Sequence, residues 1–538
     1  MKKPLLLFLC VFFSLLAMTQ TNVAETMGPI FSLKIHKTPI FLERENNLFE
    51  LSLFAEAGKL PGEIVAIRLH FTPKSNLDML ARMEVTDTSG LKYYSGQGVK
   101  SGQNILLPVN QKHNHRPLTL VFTFRLNANA DLGKSLELDS AEVVFAMGQT
   151  IRVLPRERFE YRPALVLRTA GQDNCDTYRI PGLVTTNTGT LIAVYDNRYN
   201  NSKDLQENID IGMSRSTDGG KTWEPMKVIM DMGKWGGRAE NLNGIGDPCI
   251  LYDDKNATIW VAALWMSGAT EKDMLWWASR PGMTPTETGQ FMLTKSTDNG
   301  LSWSTPINIT DQIKDPSWQL LLQGPGKGIC MKNGTLVFPV QFKKDIGEKS
   351  LDGGQFTCHS SIVYSVDGGE SWEIGSGAKS NTTEAQVAEL SDGSLMLNMR
   401  DDQNRADKSE TNGRAVAITQ NLGETWETHP SSNAALQEPN CMGSLISADI
   451  LLDGQIQKIL FFSNPNSKTE RTNMTIKASK DEGLTWPLGF QIMLNETIGF
   501  GYSCLSMVDE YTVGILYEGV KDIYFQKVPV GDFFKAGK

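Results

Sequence analysis

No tryptophan occurs before position 223, although the chain holds 11 of them in 538 residues. Whatever the first part of the chain does, it does without the largest stacking surface a side chain can offer. Histidine is scarce too, with six in all. Beyond Cys10 the cysteines (Cys175, Cys249, Cys330, Cys358, Cys441 and Cys504) form no CxxC pair and no metal-ligand spacing. We therefore expect no metal and no cofactor, and the six thiols read as buried free groups at least as well as disulfides. Positive charge is also short. A formal net charge of −9 argues against a nucleic-acid partner, which needs a basic face. It does not exclude an anionic substrate, because a local arginine cluster outweighs distant, screened charge. After the N-terminus no run approaches about 18 consecutive apolar residues, so no membrane span is expected.

What is present begins with "MKKPLLLFLCVFFSLLAMTQTNVA". Two lysines precede an apolar run from Pro4 to Ala17, too short for a span, and no small residues lead into Cys10. Residues 1–24 read as a signal peptide for export without a lipid anchor, to the periplasm or beyond. The remainder is globular in composition, 40% hydrophobic and 21% charged, and long enough for two domains.

Residues 25–157 read as short alternating strands ("LFELSLFAEAG", "EIVAIRLHFT", "LTLVFTFRLN", "AEVVFAM"), the pattern of a β-sandwich. Residues 158–538 are repetitive in two ways. Six hairpins recur, from "GLVTTNTGTLIAVY" to "CLSMVDEYTVGILYE", and five are followed by a box of pattern S/T-x-D/N-x-G-x-[ST]-W. The boxes end at Trp223, Trp303, Trp372, Trp426 and Trp486, the fourth carrying Asn421 in place of aspartate. About 60 residues per unit is the size of a four-stranded blade, so the reading is all-β: a six-bladed β-propeller behind an N-terminal β-sandwich. Pro163 to Thr169, "PALVLRT", is available to supply the sixth blade's outer strand and close the ring. In each box the acid and hydroxyl are suited to hold a tight turn, the glycine to adopt positive φ, and the tryptophan to bury its ring. The boxes are folding devices, not catalytic groups.

Hairpin phasing also selects a face. Residues just before each first strand and just after each second strand share one end of the disc, and the boxes fall at the other. Before the first strands stand Arg179, Asp247, Gln323, Glu384, Cys441 and Tyr502. After the second strands come Arg198, Asp204, Arg400 and, further along a loop, Arg471. So many charges at one mouth have no structural use, and function should lie there.

At these residues the chain resembles the exo-acting sialidases (neuraminidases) of the six-bladed, Asp-box type in their secreted bacterial form. The resemblance rests on "YRIP", "NRYNNSKD", "GDP", "TEAQVAELSDGSLMLNMR", "QEPNCMGS", "GYSCLSM" and "LYEG", in that order along about 370 residues. It implies that Arg179, Arg471 and a third arginine grip the carboxylate of a sialic acid. Arg400, which closes the strand after Glu384, is the choice for that third place, and Arg414 in "TNGRAVA" is the alternative. It further implies Tyr502 as nucleophile with Glu384 as its partner, and Asp204 as general acid/base. Arg198 and Asp247 would contact ring substituents, and Glu518 would hold Arg179. The implied activity is hydrolysis of terminal α-linked sialic acids from sialylated glycans. A trans-sialidase and a non-catalytic sialic-acid lectin are the alternatives, the lectin disfavoured because binding alone needs only the arginines. Transfer needs an aromatic acceptor platform, for which Trp235, Trp265, Trp276 and Trp318 are candidates. The N-terminal sandwich has sugar binding and a plain structural role equally open to it.

Overall fold

The computed structural model describes residues 30–54, 62–109, 117–205 and 207–535. The expected signal peptide lies outside them. Among the described residues no helix is long and apolar enough to cross a membrane.

The alternating strands of the first region form two sheets. One runs Ile30–Ile35, Asn46–Phe54, Leu118–Leu126, Leu80–Asp87 and Lys92–Gly96; the other centres on Leu136–Phe145, Ile64–Phe71 and Asn104–Pro108. Alternate residues turn inward, as along Leu118–Leu126, and a single apolar core joins both sheets. The second sheet runs on past the expected limit at residue 157, because Glu160–Tyr161 pairs with Leu136 and Glu137.

Six further sheets follow, each opened by one of the hairpins read from the sequence. The first strands (Thr177–Thr185, Ile245–Asp253, Thr382–Glu389, Ser444–Leu452 and Ser503–Asp509) pack on one another around the axis. In the third blade the inner position is shared by Leu320–Gln323 and Ile329–Cys330, while Gly326–Lys327 between them pairs with the second blade. Strand Pro163–Arg168 pairs antiparallel with Ile523–Pro529 and closes the ring, as expected. One addition was not legible. Ile40–Phe41, from the N-terminal region, lies parallel to Pro163–Arg168 as a fifth strand on the closing blade. Buried Arg162, paired with Glu160 and Asp532, fastens the same junction.

All five boxes lie between the third and outer strands of their blades, and the first shows how they work. Asp218 accepts from Ser216 Oγ (2.9 Å), Thr222 N (3.0 Å) and Thr222 Oγ1 (2.6 Å), while Gly220 N donates to Ser216 Oγ (3.0 Å). These bonds hold the Asp218 carboxyl below its ordinary range against the opposing effect of burial. Asn421 makes the equivalent bonds through its amide oxygen. The boxes do more than close a turn, because each one docks on the preceding blade. Trp223 packs edge-on to Phe525 of the sixth blade, and Trp372 to Trp260 of the second. The box glycines meet the same neighbours, Gly300 against Ile192, Gly369 against Trp260 and Gly483 against Met396.

This docking sets a test. A Cβ on Gly220 (φ +83°) would lie 2.2 Å from the Phe525 ring, whereas one on Gly189 (φ +77°) would meet nothing within 4 Å. Gly220→Ala should destabilise by about 3 kcal/mol and Gly189→Ala by about 1 kcal/mol, read as the relative fall in Tm by calorimetry.

Candidate active site

Three of the inner strands break register where they enter the mouth, and each break presents a charged residue. The irregularities fall between Arg179 and Gly182, between Gly246 and Cys249, and between Thr383 and Ala385. A bulge leaves a residue out of the ladder and re-aims its side chain. Pro181 and Pro248, which have no N–H to give to a ladder, sit in two of the three breaks. Ile180 (φ 56°) and Asp247 (φ 58°) are held in the left-handed region there. For a β-branched residue this is real strain, of the kind that persists where the surroundings fix it.

Around these breaks lies a cavity of about 270 Å³ lined by Arg179, Asp204, Asp247, Glu384, Arg400, Arg471 and Tyr502, with Gln341 and Thr383. An apolar side is formed by Leu205, Met274, Leu275, Trp276, Trp277 and Leu322, and Arg405 is at the rim. Every blade contributes.

The Tyr502 hydroxyl donates to Glu384 Oε1. Arg400 Nη1 donates to Glu384 Oε2 at 2.6 Å and lies 3.4 Å from the Tyr502 hydroxyl. Burial, and then the Glu384 charge, push the Tyr502 phenol well above its ordinary value. Burial opposes ionisation of Glu384 too, but Arg400 and the Tyr502 hydrogen bond more than offset it and hold its carboxyl below the usual range. The dyad therefore carries its proton on the phenol. Arg179 and Arg471 stand over the same tyrosine ring, at 5.1 and 5.7 Å from its centre.

Glu518 is completely buried and does not line the cavity; its place is behind it. One carboxyl group accepts from Arg179 Nε (3.1 Å), Ile180 N (2.9 Å) and Tyr502 N (2.9 Å), which ties the first strand to the sixth. Arg198 is also fully buried. It is held by Asp196 at 2.8 Å and reaches Asp204 Oδ1 at 2.8 Å. Asp204, with 64% of its side chain exposed, bonds both Arg198 and, at 3.0 Å, Arg179. Partial desolvation by the surrounding cavity walls raises its carboxyl even though its surface is open, but the two arginines prevail and hold it below the ordinary value. Asp247 moves the other way, well above the usual range, through burial and the nearby charges of Asp196 and Asp204.

Arg414 requires a correction. It does not reach the cavity: Nε donates to Asn398 Oδ1 (2.7 Å), and Nη1 to Glu438 Oε2 and Cys441 O (both 2.7 Å). Its remaining nitrogen supports the carbonyl of Glu384 at 3.3 Å, so it serves the site only from beneath. A strand-opening arginine points into the blade sandwich, whereas Arg400 at a strand end meets the mouth. Gln323 is likewise turned away, donating to the Asp247 carbonyl. Of the tryptophan candidates only Trp276 lines the cavity; Trp235 and Trp265 pack on each other, and Trp318 stacks on Phe342. Sequence reasoning missed Trp277 beside Trp276, the pair resting over the buried ammonium of Lys343 at 4.9 and 4.1 Å. It also missed Asn440, which accepts from Arg400 Nη2 at 2.9 Å; its position before the fifth blade, adjoining Cys441, was the available signal. All six cysteines among the described residues are free thiols.

The family described as a BNR repeat-like domain matches residues 180–495. A sialidase of Bacteroides fragilis (strain YCH46) is 41% identical, over 99% of this chain and 100% of its own. A sialidase of Micromonospora viridifaciens is 30% identical over 65% of this chain and 51% of its own. Among solved structures, a Hadza microbial sialidase superposes with a TM-score of 0.80 at 40% identity, covering 93% of this chain and all of its own. The charged cavity at the propeller mouth and full-length similarity to a relative of this kind lead to one assignment: the chain belongs to the sialidase family of glycoside hydrolases.

Proposed function

We propose that the protein is a retaining exo-α-sialidase that removes terminal α-linked sialic acids from glycoproteins, glycolipids and oligosaccharides, and that its N-terminal segment directs export. The observation that carries this reading is the Tyr502 hydroxyl donating to Glu384 inside an arginine-lined cavity. A sialic acid bears a carboxylate on its anomeric carbon. Attack by aspartate or glutamate would place two unit charges ~4 Å apart, a repulsion of about 4 kcal/mol at an effective dielectric of ~20, or about three powers of ten in rate. A phenol avoids that cost, and sialidases are the glycosidases that use one.

The roles follow from position. Arg179, Arg400 and Arg471 bind the carboxylate, whose geometry suits paired guanidinium forks. Tyr502 Oη attacks the anomeric carbon as its proton passes to Glu384, and Asp204 gives a proton to the departing glycosidic oxygen. Water then yields a proton to Asp204 and displaces the tyrosine, which recovers its own from Glu384. Two displacements return the α configuration. Exposed Trp277 at the mouth supports a second reading, transfer to another sugar; NMR of the products with and without lactose separates the two.

Tyr502→Phe should lower release of sialic acid from sialyl-lactose by roughly 10³-fold or more while an unsaturated sialic-acid analogue still binds. Equal release by wild type and variant contradicts the assignment.

Asp204 yields a pH prediction. A general acid must be protonated, yet Arg198 and Arg179 favour its ionised form. An incoming carboxylate competes for Arg179 and adds a negative charge beside Asp204, and both changes raise its pKa. With sialyl-lactose, the alkaline fall of kcat should therefore lie at higher pH than that of kcat/KM. Asp204→Ala should cost about 10²–10⁴-fold on sialyl-lactose, but about tenfold or less on a nitrophenyl sialoside, whose leaving group needs no proton. Equal losses on the two substrates count against the role.

A further inference from the structure

The cavity holds one more cation than a singly charged sugar requires. Four guanidinium groups line it: Arg179, Arg400, Arg471 and Arg405. Arg179 and Arg400 are largely buried and, with Arg471, border Tyr502; Arg179 is tied to Glu518 and Asp204, and Arg400 to Glu384. Arg405 differs. Its side chain is 44% exposed at the rim, on the short turn Asp402–Arg405 after the second strand of the fourth blade. Nε donates to Asp402 Oδ1 at 3.0 Å, and Asp402, which is buried, is held in turn by Asn440 Nδ2 at 3.3 Å. The guanidinium is thus fixed at one edge through the residue that also steadies Arg400. Its two terminal nitrogens have no hydrogen-bond partner among the described residues. That leaves a planar two-donor fork turned toward solvent at the cavity mouth, the shape that takes a carboxylate or a sulfate.

Position determines which part of the substrate meets it. The reacting sugar enters the buried floor where Tyr502 stands, and its one negative charge sits on the anomeric carbon, among the buried arginines. A second anion reaching the rim must therefore belong to the leaving glycan. We infer that Arg405 forms a subsite for a negatively charged leaving glycan, one bearing a second sialic acid or a sulfate ester next to the cleaved bond. The inference rests on the exo-sialidase reading and adds a preference to it: glycans that remain anionic after the cut are better substrates than neutral ones.

The test compares kcat/KM for three substrates at low ionic strength: α2,3-sialyl-lactose, α2,8-disialyl-lactose scored on its first cleavage, and sialyl-lactose sulfated on galactose O6. Arg405→Gln should lower the value for one or both anionic glycans by about fivefold, the effect of a half-exposed ion pair, and that for sialyl-lactose by less than twofold. Arg405→Lys, which keeps the charge without the fork, should fall between, and added salt should shrink the wild-type preference. A loss on the disialyl substrate alone identifies the carboxylate as the ligand, and a loss on the sulfated one alone identifies the sulfate. Equal losses on all three substrates, or none on any, overturn the inference. If wild-type protein releases nothing from sialyl-lactose, the sialidase reading itself has failed and this one falls with it.

Discussion

The site depends on keeping an uncharged oxygen where a charged one would be repelled. Tyr502 meets that constraint because it is buried, because Glu384 beside it is already ionised, and because Arg400 favours the charge on the glutamate. Proton and charge are thereby divided between two groups in contact, the state from which a phenol can attack as it loses its proton. In the proposed reaction Arg179 and Arg471 over the ring would favour the phenolate as it forms, so the same cations would serve both the substrate carboxylate and the developing charge.

The propeller supplies this geometry through strand ends. The inner strands converge on the axis, and breaks in three of them bring charge to one cavity: two turn Asp247 and Glu384 out of their ladders, and the third follows directly on Arg179, the last paired residue before it. The left-handed conformation of Ile180 costs free energy, and Glu518 secures it by accepting from the Ile180 N–H, from Arg179 and from Tyr502 N. Because the first and sixth blades meet there, ring closure by Pro163–Arg168 and by the docked boxes bears directly on where Tyr502 stands. Stability and function are coupled at that seam.

The sequence made much of this legible because a propeller repeats. Hairpin phasing assigned a face to every loop, and nearly all the charged residues placed on that face surround the cavity or sit directly beneath it. Side-chain direction at the edge of a blade was not legible. Arg400 and Arg414 are both strand-end arginines in sequence, and only packing shows that one faces the mouth and the other the interior, against Glu438. Trp277 and Arg405 stand on single helical turns (Leu275–Ala278 and Asp402–Arg405) and Asn440 on a loop, segments too short for any periodicity to assign direction. The boxes were read as turns that bury a ring, but that each box docks on the preceding blade is a tertiary fact. The addition of Ile40–Phe41 to the closing blade is a pairing across more than a hundred residues that local pattern cannot contain.

The most direct test of the central claim is to trap the covalent intermediate. A fluorinated sialic-acid donor that reacts readily but turns over slowly should label the protein once, and mass spectrometry of the digest should place the sugar on the Tyr502 hydroxyl. Attachment to Glu384 or Asp204 would contradict the account, as would turnover of the reagent with inversion and no adduct.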